Sequence, residues 1–283
     1  MKVLVTGAGG QLGLEILKKL KYEKIQVIGL NKSEMDVTNI KIVRKLLLKH
    51  KPNVVIHTAA YTNVALAEKE PEKAFQVNSE GTKNVAEISE LIGAVLCYIS
   101  TDYVFDGESE TAYNESDVPN PKNTYGTSKY KGEKFVQEHC SKYFIVRTSW
   151  LYGIHGSNFV EKMIKKAKSE KVIEVVADQF GSPTYTKDLA IFLSELIETD
   201  KFGIYHATNY GSCSWYEFAC EIFKELKQPV KIKPITSEKY MSGVSRPKNS
   251  VLENNAIVVN GFSQLPYWQY ALKNYFKCLN ISK

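Results

Sequence analysis

Tyr125 and Lys129 are the residues whose types and spacing most directly suggest proton-transfer chemistry. In a helix, a separation of four residues places both side chains on one face. An unperturbed tyrosine titrates near pH ~10, so it needs help to exchange protons at neutral pH. A neighbouring ammonium group stabilises the phenolate and lowers that pKa, which would make Tyr125 a general acid. The pair alone is a weak signal, because the chain has 17 tyrosines and a solvated helix pair has the same spacing.

Thr101 supplies a second functional group in the same half of the chain. It follows a predicted buried strand at residues 95–99. Ligands of open parallel sheets bind at the carboxyl ends of the strands, so the Thr101 hydroxyl could contact the same carbonyl oxygen that Tyr125 would protonate. The alternative is an ordinary capping hydroxyl. Together with a glycine-rich loop upstream, however, Thr101 and the tyrosine–lysine pair form a specific combination.

That glycine-rich loop joins the first predicted strand to the first predicted helix. Gly7, Gly10 and Gly13 form a GxxGxxG pattern, with Gln11 and Leu12 between the last two. Glycines allow a tight turn and a close approach of the backbone to a pyrophosphate, and the helix N-terminus offers free amides. Because the pattern lies between a strand and a helix, it predicts dinucleotide binding rather than a structural turn.

The residues after the second predicted strand bear on which dinucleotide binds. NAD enzymes usually place an acidic residue there for the ribose hydroxyls, but this chain has Asn31 and Lys32. Lys32 could neutralise a 2′-phosphate, or it could be one more surface lysine. We therefore expect NADPH as the cofactor and leave NADH open as a second one.

The elements that must position these residues alternate regularly in the first half of the chain. Short apolar runs at residues 3–5, 27–30, 54–56, 95–99 and 144–146 are separated by helical patterns. One of those helices, at residues 40–50, has Thr38 as its expected N-cap, and a longer one is predicted to begin at Pro71 and end near Gly93. Alternation of this kind predicts an α/β protein with a Rossmann-type, doubly wound parallel sheet. We expect residues 1–150 to form the dinucleotide-binding domain. Residues 151–283 should mainly form a smaller, mixed substrate-binding lobe, with some segments returning to the sheet.

Composition and charge exclude several other classes of protein. A net charge of +6 over 283 residues, with lysines spread along predicted helices, does not favour a nucleic-acid surface. The longest apolar run, residues 91–99, is too short to span a bilayer, and no signal peptide is visible. We expect a cytoplasmic protein that binds neither nucleic acid nor membrane. The five cysteines form no CxxC pair and the five histidines lack metal-ligand spacing, so no metal site is predicted. His57 and Trp215 are interpreted as core residues.

The combined motifs resemble the extended short-chain dehydrogenase/reductase family. The resemblance covers nearly the whole chain and is carried by GQLG at residues 10–13, STDYVFDG at 100–107 and YGTSK at 125–129. More specific strings follow downstream, namely RTSWLYG at 147–153, DQFGSPT at 178–184 and RP at 246–247.

The resemblance assigns expected roles by position. It implies that Tyr125 is the proton donor, Lys129 its partner and Thr101 the hydroxyl that orients the substrate. It places Asp102, Tyr103 and Trp150 at a sugar site, with Arg246 as the candidate cation for a diphosphate. On the cofactor side it implies contacts from Asp36 and Val37 with adenine, and from the segment Ala59, Ala60 and Tyr61.

The implied activity is NADPH-dependent reduction of a keto group on a nucleotide-linked deoxysugar. Two alternatives remain open: an NAD-retaining epimerase or dehydratase, and a non-catalytic regulatory subunit with the same fold. The chain departs from the family pattern where Ala65 and Leu66 follow Val64 in place of an aspartate. Some family members form metal-bridged dimers through a position matching Glu15, so a homodimer is left open.

Overall fold

A six-stranded, entirely parallel sheet forms the centre of the molecule, as the alternating pattern predicts. The computed structural model describes residues 1–240 and 243–281, the last two by backbone alone. The strand order is β10-β5-β4-β3-β1-β2. Their bounds are β1 Lys2–Thr6, β2 Gln26–Leu30, β3 Val54–His57, β4 Val95–Thr101, β5 Tyr143–Thr148 and β10 Gly203–His206. The edge strand β10 was not predicted from the sequence, although it pairs in parallel with β5.

Helices cover both faces of this sheet, which makes it doubly wound. On one face, α1 and α8 pack together over a core that includes Val3, Val5 and Leu193. On the other face, α2, α5 and α6 cover a second core around Leu4, Val55 and Leu96. The helices are α1 Gln11–Tyr22, α2 Ile40–His50, α3 Val64–Lys69, α4 Pro71–Phe75, α5 Gly81–Leu91, α6 Thr124–His139, α7 Phe159–Lys166, α8 Thr186–Leu196, α9 Trp215–Leu226, α10 Ser237–Tyr240, α11 Asn255–Val259 and α12 Trp268–Ile281. Strand residues buried from both sides explain the continuous apolar runs in the sequence.

Two local predictions were imprecise. The N-cap of α2 is Asn39, whose side chain accepts hydrogen bonds from the amides of Lys41 and Ile42. Thr38 instead donates its hydroxyl to Asp36 at 2.8 Å, so the expected cap was one residue too early. The long helix predicted from Pro71 is interrupted by a π-helical turn at Gln76–Glu80 between α4 and α5.

Much of the chain beyond residue 150 forms a third core, around Tyr152, Ile173 and Phe218. It is built from α7, α9, α12 and three two-stranded pairings, β6 with β9, β7 with β12, and β8 with β11. These strands are β6 Leu151–Tyr152, β7 Val172–Val176, β8 Phe180–Gly181, β9 Thr184–Tyr185, β11 Cys213–Ser214 and β12 Lys231–Ile235. The division into domains at residue 150 stays a prediction.

The strand order reverses between β1 and β3, since the chain steps from β1 out to β2 and then back to β3. In open α/β sheets, the crevice at such a reversal lies beyond the carboxyl ends of the strands and is the usual ligand site. Among the described residues, no helix combines the length and apolarity needed to cross a bilayer.

Candidate functional site

A cleft of 710 Å³ opens at the carboxyl edge of the sheet and continues to the third core. The structure brings nearly all the predicted site residues to this one cleft. Those that line it are Gly7, Gly10, Gln11, Leu12, Gly13, Lys32, Asp36, Val37, Ala59, Ala60, Tyr61, Thr101, Asp102, Tyr103, Tyr125, Lys129 and Trp150. The exceptions are Asn31 and Arg246.

The glycine loop at one end of the cleft can exist only with glycine at its first position. Gly7 has a φ of +64°, and a Cβ there would lie 2.6 Å from the backbone nitrogen of Ala59. The loop after β1 therefore touches the loop after β3. Gly10 caps α1 without a side-chain hydrogen bond, so the first amides of that helix stay available to an anion. This is the geometry that a pyrophosphate requires.

Gln11 connects this loop to the part of the chain beyond β6. Its side-chain oxygen accepts a hydrogen bond of 2.9 Å from Asn158, which also caps α7 by accepting from the Glu161 amide. The first turn of α1 is thus tied to a helix of the third core. No local pattern in the sequence indicates this contact, because the two partners are 147 positions apart.

The segment after β2 forms a compact turn organised by Asn31. Its side-chain oxygen accepts hydrogen bonds from the Ser33 amide and hydroxyl at 2.9 and 2.7 Å, so it does not face the cleft. Lys32 is exposed and lines the cleft. Asp36 accepts from the amide and hydroxyl of Thr38 and lies at the same end.

Asn78, in the π-helical turn, anchors the loop after β3. Its side chain accepts from the Tyr61 amide at 2.7 Å and donates to Ser128 at 3.0 Å on α6. The Tyr61 hydroxyl donates to Glu70 at 2.7 Å. One side chain therefore connects the loop at residues 59–61 to the helix that carries Tyr125 and Lys129.

Helix α6 lies unusually close to the end of β4. Asn123 caps it by accepting a 2.8 Å hydrogen bond from the Gly126 amide. A Cβ on Gly126 would collide with the carbonyl oxygen of Tyr103, so glycine next to Tyr125 is what allows this approach. As a result, the Thr101 side chain lies near enough to the Tyr125 hydroxyl to oppose the effect of burial on its pKa. Thr101 also donates to the Asp102 carboxylate at 2.9 Å.

Burial controls the titration of the tyrosine–lysine pair. It raises the pKa of Tyr125 well above the ordinary tyrosine value and lowers the pKa of Lys129 to about 7. The Lys129 ammonium donates to the Ile99 carbonyl oxygen at 2.6 Å and lies 4.0 Å from the centre of the Tyr98 ring. The expectation that the ammonium would lower the pKa of Tyr125 is therefore not met in this structure, because burial of the phenol dominates.

Two tryptophans form part of the wall of the cleft. The rings of Trp150 and Trp215 are stacked with centroids 3.4 Å apart. Trp150 has a φ of +46°, a conformation that bulky residues adopt only where the surroundings impose it. Trp215 also packs against the third core, so its interpretation as a core residue missed the face that it presents to the cleft. Only the spatial proximity of Trp150 reveals that second role.

Asp102 and Tyr103 line the same cleft as Tyr125, Lys129 and the two tryptophans. Burial raises the pKa of Asp102 to about 6, although hydrogen bonds with Ser250 and Thr101 lower it. Burial also raises the pKa of Tyr103 to about 12, with a further rise from Asp102 and an opposing effect from Arg246. Arg246 is thus near Tyr103 without lining the cleft. Its Nε is buried and has no hydrogen-bond partner within the described chain.

Within the described part of the chain, Glu15 does not belong to a metal-binding cluster. Glu15 is buried and pairs with His155 at 3.6 Å. Over residues 1–240 and 243–281, no group of three His, Cys, Asp or Glu side chains is arranged to hold a metal ion. His57 is a satisfied core residue, as interpreted from the sequence, with ring nitrogens 2.7 Å from Thr6 and 3.1 Å from Thr82.

Comparison with known proteins identifies the family of this chain. Residues 1–281 match the family described as the RmlD substrate binding domain. The chain belongs to this family. It is 44% identical over 276 residues to the spore coat polysaccharide biosynthesis protein SpsK of Bacillus subtilis, covering 98% of this chain and 97% of that protein. It is 40% identical to a dTDP-4-dehydrorhamnose reductase of Aggregatibacter actinomycetemcomitans, covering 96% of this chain and 97% of that one.

Solved structures agree with this assignment. A dTDP-4-dehydrorhamnose reductase from Bacillus anthracis, crystallised in complex with NADP, superimposes with a TM-score of 0.96 at 46% identity, covering 98% of both chains. A UDP-glucose 4-epimerase from Thermus thermophilus superimposes with a TM-score of 0.83 at 20% identity, with 99% of both chains covered, and shares the fold alone. The resemblance and the fold class predicted from the sequence are confirmed.

Proposed function

We propose that this protein reduces the C4 keto group of dTDP-4-dehydro-L-rhamnose with NADPH, giving dTDP-L-rhamnose. The observation that carries the proposal is that Thr101, Tyr125 and Lys129 line one cleft with a dinucleotide-type glycine loop, with Tyr125 and Lys129 one helical turn apart. The similarity to named reductases over nearly the full chain supports the substrate.

The residues at the glycine-loop end fit a nicotinamide dinucleotide. The start of α1 and the backbone around Gly7 would hold the pyrophosphate, because no side chain caps the first amides of that helix. Lys32 would face a 2′-phosphate, while Asp36 and Val37 would border the adenine. Ala59, Ala60 and Tyr61 would line the path to the nicotinamide ribose, which Tyr125 and Lys129 would contact. When bound, the reduced nicotinamide supplies a hydride to C4 of the sugar.

The chain's own side chains would handle the proton. As C4 is reduced, the Tyr125 hydroxyl donates its proton to the C4 oxygen, which becomes the product hydroxyl. The Thr101 hydroxyl lies beside Tyr125 and orients that oxygen. The Lys129 ammonium stabilises the phenolate left on Tyr125 until solvent returns the proton. Since burial raises the pKa of Tyr125, this cationic neighbour matters most at the moment of proton transfer.

The tryptophan end of the cleft would receive the nucleotide-sugar. Trp150 and Trp215 offer an apolar wall, and Asp102 and Tyr103 offer polar groups beside it. A diphosphate would need a cation, and Arg246 is the candidate because of its position near Tyr103. Binding energy from this remote part would position the reacting carbon.

The test is steady-state NADPH oxidation with dTDP-4-dehydro-L-rhamnose, its UDP analogue and the free 6-deoxy keto-sugar. We expect turnover with the dTDP-sugar and a much lower kcat/KM with the free sugar. Conversion of the sugar without net NADPH oxidation would indicate an epimerase or dehydratase instead. Binding without any conversion would indicate a regulatory binding module.

A cytoplasmic location, a homodimeric state and the absence of nucleic-acid binding also remain predictions. Size-exclusion chromatography with light scattering tests the oligomeric state directly. A monomer at micromolar concentration would contradict the homodimer.

A further inference from the structure

Three consecutive residues at the end of β4 each contact α6 at positions spaced by one helical turn. The Ile99 carbonyl oxygen accepts from Lys129 at 2.6 Å, and the Thr101 side chain lies near enough to Tyr125 to influence its pKa. Between them, the Ser100 hydroxyl donates to the Glu133 carboxylate at 2.5 Å. Tyr125, Lys129 and Glu133 follow each other at intervals of four, so they share one face of the helix. Tyr125 and Lys129, the proposed catalytic pair, therefore belong to a row of three side chains through which α6 meets the end of β4. Glu133 is the third member of that row.

Glu133 is buried as deeply as any charged side chain of the site. Its side chain is 1% exposed, and its partner Arg147 on β5 is 2% exposed. Arg147 donates from Nε to one carboxylate oxygen at 3.0 Å and from Nη2 to the other at 2.8 Å. Together with the bond from Ser100, these contacts fix both oxygens of Glu133.

Stability alone does not explain the buried Glu133–Arg147 ion pair. Removing two charges from water costs several kcal/mol each, and buried pairs are often replaced by apolar residues without loss of stability. A rigid carboxylate one turn from Lys129 has another effect, because its negative charge favours the ammonium form. Glu133 raises the pKa of Lys129 against the larger lowering by burial.

Glu133 is the charged group whose effect on the pKa of Lys129 is resolved, and the other neighbours of Lys129 on the adjacent strands and on α6 are not anions. Tyr98 on β4 and Tyr125 on α6 have pKa values raised by burial and are neutral phenols. His57 on β3 is neutral, because burial and Lys129 itself lower its pKa to about 3. Arg147, on β5 behind Glu133, is a cation and would oppose the ammonium if the carboxylate were lost.

We propose that Glu133 is a positioning residue: it locks α6 to the end of β4 and keeps the side chain of Lys129 protonated beside Tyr125. Its catalytic consequence rests on the proposed reductase function. The charge of Lys129 can be measured without any substrate, so the two ideas fail separately.

The experiment is a pH titration of isotope-labelled lysine side chains by NMR in the full-length protein. The buried lysine, identified by its loss in Lys129→Met, should titrate near neutral pH, far below exposed lysines. In Glu133→Gln its midpoint should fall by about one pH unit or more, while Glu133→Asp should restore much of the difference. Glu138→Gln, an exposed carboxylate on the same helix, should leave the midpoint unchanged. An unchanged midpoint in a folded Glu133→Gln protein would overturn the proposal.

Turnover supplies a second measurement. A lower Lys129 midpoint moves the alkaline limb of the kcat profile of Glu133→Gln to lower pH, whereas a merely structural role lowers the melting temperature without moving that limb. If Glu133→Gln does not fold, the double variant Glu133→Gln/Arg147→Met removes the uncompensated cation. It should still show a lowered Lys129 midpoint, and a wild-type midpoint there would refute the inference. Absence of turnover by the wild-type protein would refute only the reductase function.

Discussion

Tyr125, Lys129 and Asp102 are titratable side chains whose pKa values burial moves away from their ordinary range. Burial raises the pKa of the phenol and of the carboxyl group and lowers that of the amine, so all three are pushed toward their neutral forms. Because these groups are poorly solvated, a nearby charge has a strong effect on their pKa values.

Removal of the Tyr125 hydroxyl should eliminate the proton donor and little else. We expect Tyr125→Phe to lower kcat by roughly 10²–10⁴-fold, the usual contribution of a general acid. The NADPH dissociation constant should stay near that of the wild type, because the ring is retained. Steady-state kinetics and a binding titration measure the two quantities. Tyr130→Phe, on the same helix outside the cleft, is the control, and a Tyr125→Phe enzyme with near-normal kcat would disprove the assignment.

Asp102 should make the stability of the protein depend on pH in a defined direction. Burial raises its pKa from 3.8 to about 6, so the folded state binds the proton more tightly than the unfolded state. The resulting stability is present below the ordinary pKa and is lost as the pH rises through about 6. The free energy of unfolding of Asp102→Asn minus that of wild type should therefore rise by on the order of 2 kcal/mol from pH ~4 to pH ~7.

Chemical denaturation at several pH values measures that difference. Asp200→Asn, which removes an exposed carboxylate, controls for the change in net charge. A difference between Asp102→Asn and wild type that is constant across this range would contradict the raised pKa.

At the level of elements, the N-cap of a helix fixes where its first turn begins and so where its functional residues lie. Asn123 sets the first turn of α6 and thereby the position of Tyr125. Asn39 sets the first turn of α2, which covers one face of the central sheet. Both caps are short polar side chains that accept hydrogen bonds from otherwise unpaired amides.

The cap of α2 provides a direct test of the structure against the sequence-based expectation. Asn39→Ala should lower the free energy of unfolding by about 1 kcal/mol, because two helix amides lose their acceptor. Thr38→Ala should cost less, since its hydroxyl bonds only to Asp36. Urea denaturation of both variants measures the order. A larger loss of unfolding free energy for Thr38→Ala than for Asn39→Ala would instead support Thr38 as the cap, as expected from the sequence.

The sequence predicts elements whose signal is local and misses contacts that are distant along the chain. Buried strands β1 to β5 follow from apolar runs, and the glycine loop follows from its spacing. The cap of α2 was misplaced because Thr38 and Asn39 are both acceptable caps and only the backbone chooses between them. Strand β10 was missed because its residues Gly203–His206 lack the apolar run of the other strands.

The candidate site shows the same division. Tyr125, Lys129 and Thr101 were predicted by motif, and the structure places them together. Trp215 and Glu133 were not predicted as site residues, because their importance comes from partners on other elements, namely Trp150 and Ser100. No single-sequence pattern encodes such pairs.

At the scale of the whole molecule, the cleft runs between the central sheet and the third core, and both sides contribute to it. The Gln11–Asn158 hydrogen bond joins the glycine loop to α7. Arg246 lies near Tyr103, outside the residues that line the cleft. In the proposed function, the cofactor and the nucleotide-sugar bind at different ends of this cleft.

This separation predicts a selective effect of Arg246→Ala. We expect KM for the nucleotide-sugar to rise roughly 10-fold to 100-fold, the loss expected for a hydrogen bond to a charged group. The NADPH dissociation constant should not change, because Arg246 lies outside the cofactor end. Arg44→Ala, which removes an exposed cation from α2, is the matched control. Equal weakening of NADPH and nucleotide-sugar binding would contradict the role proposed for Arg246.

The stacked pair of Trp150 and Trp215 also gives the protein a built-in optical reporter. The chain has three tryptophans, and two of them face each other in the cleft with nearly parallel rings. Indoles this close couple their electronic transitions, so the near-ultraviolet circular dichroism of the protein should be dominated by one pair. A molecule that separates or covers these rings would change that spectrum and the tryptophan emission together. Occupancy of the sugar end of the cleft can thus be followed in unlabelled protein, with Trp268, in the third core, as a background emitter.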